Sequence, residues 1–170
     1  MATTGIVSGN KGKFNPDKAV TRAEFIKLLA AAKGLEPANP EKPTFSDVPA
    51  KAWYYGYVEA AAQAGIVKGE KGKFLPEQLI SREEMAVMVM RALKLDNSEK
   101  VELDFKDKNK ITPWAEEAVA QAVDMGFLNG KDGYFKPQDK AVRAEAAVFI
   151  FRVLEKTGAN GAVFSKMSRM

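Results

Sequence analysis

Four carboxylates, Asp47, Glu59, Asp107 and Glu117, are by type the side chains of this chain best suited to chemistry. Paired acids of this kind do the work of glycoside hydrolysis. Each of the four, however, falls inside a repeated or helical feature that already explains it, so no catalytic pair is read and the chain is expected not to be an enzyme. Asp107-x-Asn109 opens like a calcium loop, but Ile111 and Thr112 stand where an oxygen ligand and a glycine are required. The chain has no histidine and no cysteine. That removes the Ser-His-Asp triad, thiolate nucleophiles, disulfides and nearly every zinc or copper site. No cofactor and no metal are expected. What remains is lysine, arginine, tyrosine or carboxylate chemistry, or binding alone.

The elements that would position such residues come in copies. Gly5-Ile6-Val7-Ser8-Gly9-Asn10-Lys11-Gly12-Lys13-Phe14-Asn15-Pro16 returns as Gly65-Ile66-Val67-Lys68-Gly69-Glu70-Lys71-Gly72-Lys73-Phe74-Leu75-Pro76. It returns again as Gly126-Phe127-Leu128-Asn129-Gly130-Lys131-Asp132-Gly133-Tyr134-Phe135-Lys136-Pro137. Each copy leads into a short block: Thr21-Arg22-Ala23-Glu24, Ser81-Arg82-Glu83-Glu84 and Val142-Arg143-Ala144-Glu145. Thr21…Glu24 and Ser81…Glu84 have the spacing of capping boxes, which start a helix and place the arginine in its first turn. Val142 lacks the hydroxyl, so the third cap is expected to be weaker by roughly 1 kcal/mol.

Beyond each block the apolar residues keep helical time. Phe25, Leu28, Leu29 and Ala32 are matched by Met85, Met88, Val89 and Ala92 and by Ala146, Phe149, Ile150 and Val153, three stripes read as core. A second, alanine-rich helix precedes the glycine block near residues 53–64 and again near 114–125. Gly65 and Gly126 are expected to end these helices in the left-handed conformation. The glycine stretch that follows is a compact loop with hairpin character near Phe74. Phe45-x-Asp47 with Trp53, and Phe105-x-Asp107 with Trp114, complete the unit. The chain divides into a partial repeat over 1–34, repeats over 44–95 and 104–157, and a tail over 158–170.

Composition agrees with a folded binding domain. Apolar residues are 46% and charged residues 28%. A chain of this length buries about 70% of its unfolded surface. The net charge of +4 is a mild attraction for phosphates, acidic polysaccharide or anionic lipid. No basic run reaches five and aromatics do not alternate with basic residues, so nucleic-acid binding is disfavoured. No stretch has the roughly 20 apolar residues of a membrane span, and Met1-Ala2-Thr3-Thr4 carries no signal peptide.

The succession Phe-x-Asp-Val, Trp, helix, Gly-Ile-Val-x-Gly, Gly-x-Phe-x-Pro, Thr-Arg-Ala-Glu resembles the S-layer homology domain over about residues 5–156. The resemblance implies a mainly α, pseudo-threefold domain of helix–loop–helix units, with the three first helices forming a central bundle and the first repeat here incomplete. It implies non-covalent anchoring of a surface protein, an S-layer protein or an exoenzyme, outside the cell on the bacterial cell wall. The partner it implies is a secondary cell wall polymer, a pyruvylated N-acetylmannosamine-type glycan held in the grooves between repeats.

That role makes sense of several residues. A guanidinium grips a ketal carboxylate with two parallel charge-assisted bonds, which makes Arg22, Arg82 and Arg143 candidates, helped by the positive end of a helix. Trp53 and Trp114 can pack on sugar faces or simply be core. Asp47 and Asp107 are caps or turn formers as well as acceptors for sugar hydroxyls. Gly9, Gly69 and Gly130 admit close approach of a ligand to the backbone. Glu24, Glu84 and Glu145 are read as capping residues, and Lys11, Lys13, Lys71, Lys73 and Lys131 as a soft electrostatic rim or a solvated face. A helical-repeat module for protein–protein interaction is the competing reading. The missing first helix of repeat 1 leads to the expectation of an apolar gap, filled by self-association or by a segment outside the chain. Loose docking of helix 21–33 is the other version.

Overall fold

The computed structural model describes residues 14–95 and 99–158. Its elements are five α-helices: α1 (Arg22–Lys33), α2 (Tyr55–Gln63), α3 (Arg82–Leu93), α4 (Glu116–Asp124) and α5 (Arg143–Lys156), with a 3-10 turn at Lys108–Lys110. No strand occurs among the described residues, and the only β-pairing there is isolated bridges. No described helix is long and apolar enough to cross a membrane. The fold is mainly α, as the periodicity indicates.

Local chemistry accounts for the helix ends. Thr21 forms a complete capping box with Glu24. Ser81 accepts from the Glu84 N–H, but the Glu84 carboxylate takes the Ser81 hydroxyl instead of the cap N–H, so the second box is only half made. Val142 makes no side-chain cap bond. Helix α2 ends with Ile66 N–H donating to Ala61 and Gly65 N–H to Ala62, and α4 ends likewise through Phe127 and Gly126. This is the Schellman arrangement, and Gly65 and Gly126 supply its left-handed residue at φ +74° and +72°. The glycine loops then close as tight hairpins, Glu70 bridging Lys73 and Lys131 bridging Tyr134.

The segments just before the three capped helices meet around one axis. Val20 N–H donates to Ala141, Ala141 N–H to Ile80, and Ile80 N–H to Val20, each at 2.9 Å. The first-turn amides run around the axis in the opposite sense: Arg22 donates to Gln78, Arg82 to Asp139 and Arg143 to Lys18. Helix starts that would otherwise leave backbone donors unpaired are thus satisfied by the loop of a neighbouring repeat. The ring closes through the first repeat, so α1 is firmly docked.

The centre is not built as the resemblance implies. Helix α1 packs on α2, α3 and α5, and α3 packs on α4, whereas α2 and α4 share no substantial contact. The reason is the width of the apolar faces. Helix α1 buries Ala23, Phe25, Ile26, Leu28, Leu29, Ala30 and Ala32, and α3 buries residues on nearly every side. A helix apolar all round belongs in a core. The shorter α2 and α4 lie against α1 and α3 from outside, each first helix covering the capped helix of the preceding repeat. Helix α5 has no such cover among the described residues. Val148 and Phe151 stand 46% and 48% exposed on it, whereas the corresponding Val87 and Met90 of α3 are buried.

Candidate functional site

Asp47 and Asp107 come first, because each holds the loop on which the rest depends. Asp47 accepts from the N–H groups of Phe74 and Leu75, both at 2.8 Å. Asp107 accepts in the same way from Phe135 and Lys136, both at 2.8 Å. Leu75 and Lys136 have left-handed backbones, φ +60° and +56°. A non-glycine residue in that conformation is strained, and the two-oxygen grip of the aspartate holds it there. Burial works to raise the Asp107 carboxyl. The amides of Phe135, Lys136 and Asp107 itself, with the Lys110 charge, outweigh it and hold the group below the usual aspartate value.

The loops so fixed present carbonyls to the arginines. Arg22 Nε donates to Phe74 O at 2.9 Å and its guanidinium pairs with Glu84. Arg82 Nε donates to Phe135 O at 2.9 Å, Nη2 to Asn129 O at 2.8 Å, and the group pairs with Glu145. Arg143 pairs with Glu24 at 3.4 Å. Each guanidinium also lies over a phenylalanine, Arg22 over Phe74, Arg82 over Phe135 and Arg143 over Phe14. The arginine side chains are only 14%, 13% and 15% exposed. Every Arg–Glu pair joins two repeats, first to second, second to third, third to first. The glutamates read as capping residues are therefore also the counter-ions of this ring, which sequence reasoning missed. The signal was present: Arg and Glu recur together, two residues apart, in all three blocks.

The tryptophans are not core. Trp53 is 55% and Trp114 56% exposed. Trp53 meets Tyr54 edge-on at 5.3 Å, and Lys27 of α1 reaches over the rings of Trp53 and Tyr57 at 5.7 and 5.9 Å. The close approaches that Gly69 and Gly130 allow are taken up inside the fold: a Cβ at either would collide with the ring of Phe45 or Phe105. Gly9 lies outside the described residues.

The other carboxylates have local partners. Glu59 is fully buried and accepts from Thr44 N and Oγ1 at 2.8 and 2.6 Å. Glu117 accepts from Gln121 at 3.2 Å. Glu83, equally buried and not singled out by the sequence, accepts from Thr112 N and Oγ1 and from Gln138. Among the described residues no group of three or more acids is placed to hold a metal.

Comparison with known proteins places the arrangement. The sequence model of the S-layer homology domain matches residues 1–26, 44–86 and 104–147. The chain is 38% identical over 165 residues to exoglucanase XynX of Acetivibrio thermocellus, covering 92% of this chain and 15% of that protein. It is 37% identical over 164 residues to an amylopullulanase of Thermoanaerobacterium thermosulfurigenes, covering 93% and 9%. It is 33% identical over 167 residues to the S-layer protein sap of Bacillus anthracis, covering 95% and 20%. The chain thus spans a fifth or less of the length of these relatives.

Proposed function

We infer from membership of the S-layer homology domain family, to which this chain belongs, that it anchors an attached surface protein or exoenzyme to the bacterial cell wall from outside the cell. It does so without catalysis, by binding secondary cell wall polymer of the pyruvylated N-acetylmannosamine type in the surfaces between repeats. The observation that carries this reading is the pair of tryptophans, more than half exposed at equivalent positions of two repeats. Exposing two such rings costs apolar burial, and a flat amphipathic ring is a natural platform for a sugar face.

In this reading Arg22, Arg82 and Arg143 act as joints that shape the grooves, each paired with the glutamate of a neighbouring repeat. Asp47 and Asp107 act by holding the loops, and Gly69 and Gly130 by admitting the phenylalanines that pack beneath them. The same proposal includes self-association through α5, supported by the exposed Val148 and Phe151.

The test is sedimentation of the protein with protein-free wall polymer. Co-sedimentation is expected with native polymer and is expected to weaken when pyruvate is removed chemically. A protein that stays in solution with both polymers would overturn the reading.

A further inference from the structure

The two tryptophan sites occupy equivalent places but do not have equivalent surroundings. At the first, Lys27 projects from α1 over Trp53 and Tyr57. At the second, the corresponding residues are Val87, Trp114 and Ala118. The first turn of α2 carries no acid, whereas the first turn of α4 carries Glu116 and Glu117. Lys27 is exposed and forms no ion pair among the described residues. An ammonium held beside two aromatic faces, with its charge unmatched, is suited to an anionic group on a ring-shaped ligand. Beside Trp114 the equivalent positions hold a buried valine and an alanine, so no cation stands there to select an anion.

We propose that the Lys27–Trp53–Tyr57 surface between α1 and α2 is the anion-selective glycan subsite of this domain, and that the Trp114 surface takes sugar without regard to charge. The proposal rests on the wall-polymer reading above and adds to it an assignment of charge to one site. Lys27 sets specificity: its ammonium pairs with the acidic substituent while the Trp53 ring carries the sugar face.

The chain has two tryptophans, so each site can be read alone. Trp114→Phe leaves Trp53 as the sole indole reporter, and Trp53→Phe leaves Trp114. Both proteins are titrated by fluorescence with protein-free wall polymer, native, stripped of ketal-linked pyruvate, or stripped of phosphate. The Trp53 signal is expected to report native polymer with an affinity that falls with salt. Adding Lys27→Gln should weaken it by about fivefold, the size of one partly screened charge contact. The Trp114 signal should report native and stripped polymers alike. Loss of the Trp53 response on removing pyruvate, or instead on removing phosphate, identifies the anion and supports the proposal in either case. An affinity unchanged by Lys27→Gln, in a protein that still sediments with wall polymer, overturns this proposal and leaves the anchoring reading standing. If no variant responds and the unaltered protein does not sediment with polymer, both fall.

Discussion

Replacing Arg82 with alanine tests whether the arginine ring holds the repeats together. The guanidinium of Arg82 pairs with Glu145 and donates to Phe135 O at 2.9 Å and Asn129 O at 2.8 Å. Its side chain is 13% exposed, that of Glu145 34%. Breaking a buried ion pair by removing one partner costs about 3–5 kcal/mol, because the other charge is left behind. Glu145 is partly wetted, which discounts the charge penalty toward the lower figure, while two loop carbonyls lose a charged donor, worth about 1.5–3 kcal/mol each before water replaces it. A net loss of about 3 kcal/mol is expected. For a domain of this size, 1 kcal/mol moves Tm by about 2–4 °C, so Tm should fall by about 6–12 °C. The assay is thermal and urea unfolding at neutral pH, with Glu145→Gln and the double variant completing a cycle. The coupling between the two positions should be at least about 1 kcal/mol. A variant melting within about 2 °C of the parent would refute the reasoning. Loss of polymer binding with unchanged stability would then make Arg82 a contact residue and not a joint.

Three further expectations follow from the same geometry. Val142 has the extended backbone of Thr21 and Ser81, φ −97° and ψ 162°, with no cap bond; Val142→Thr should raise stability by about 0.5–2 kcal/mol, and an unchanged unfolding midpoint would show that its methyls matter more than a hydroxyl. Asp107 titrates below its ordinary value when folded; its contribution is therefore present above the unfolded carboxylate pKa and lost as pH falls toward the folded one. Asp107→Asn should cost about 2–3 kcal/mol at neutral pH, and the gap to the parent should narrow in acid, so a gap constant down to pH ~3 would count against the grip on Phe135 and Lys136. Phe151→Lys should abolish concentration-dependent association seen by light scattering while leaving helix content intact, and a parent protein monomeric at every concentration would remove the α5 face as an interface.

Much of this fold is legible from one sequence because the information is local. Thr21, Ser81 and the glycines at 65 and 126 set helix starts and stops through bonds that span three to five residues, and the stripe from Phe25 to Ala32 needs only the helical period. The internal repeat then places Arg22, Arg82 and Arg143 in equivalent first turns. Even the fact that Arg22 cannot pair with Glu24 of its own block is local, since residues two apart on a helix point away from each other.

Which glutamate it does meet is another matter. Arg22 finds Glu84, Arg82 finds Glu145 and Arg143 finds Glu24, a rotation decided by how three segments close around an axis, and no residue spacing encodes it. The exposure of Trp53 and Trp114 is likewise tertiary, because an indole near a repeat junction satisfies the same pattern whether it faces in or out. So is the central place of α1 and α3: the apolar breadth of a helix is written in its residues, but which neighbours cover each side depends on the docking of all the others. Local bonds determine the elements of this protein, and only the joint burial of their faces decides who meets whom.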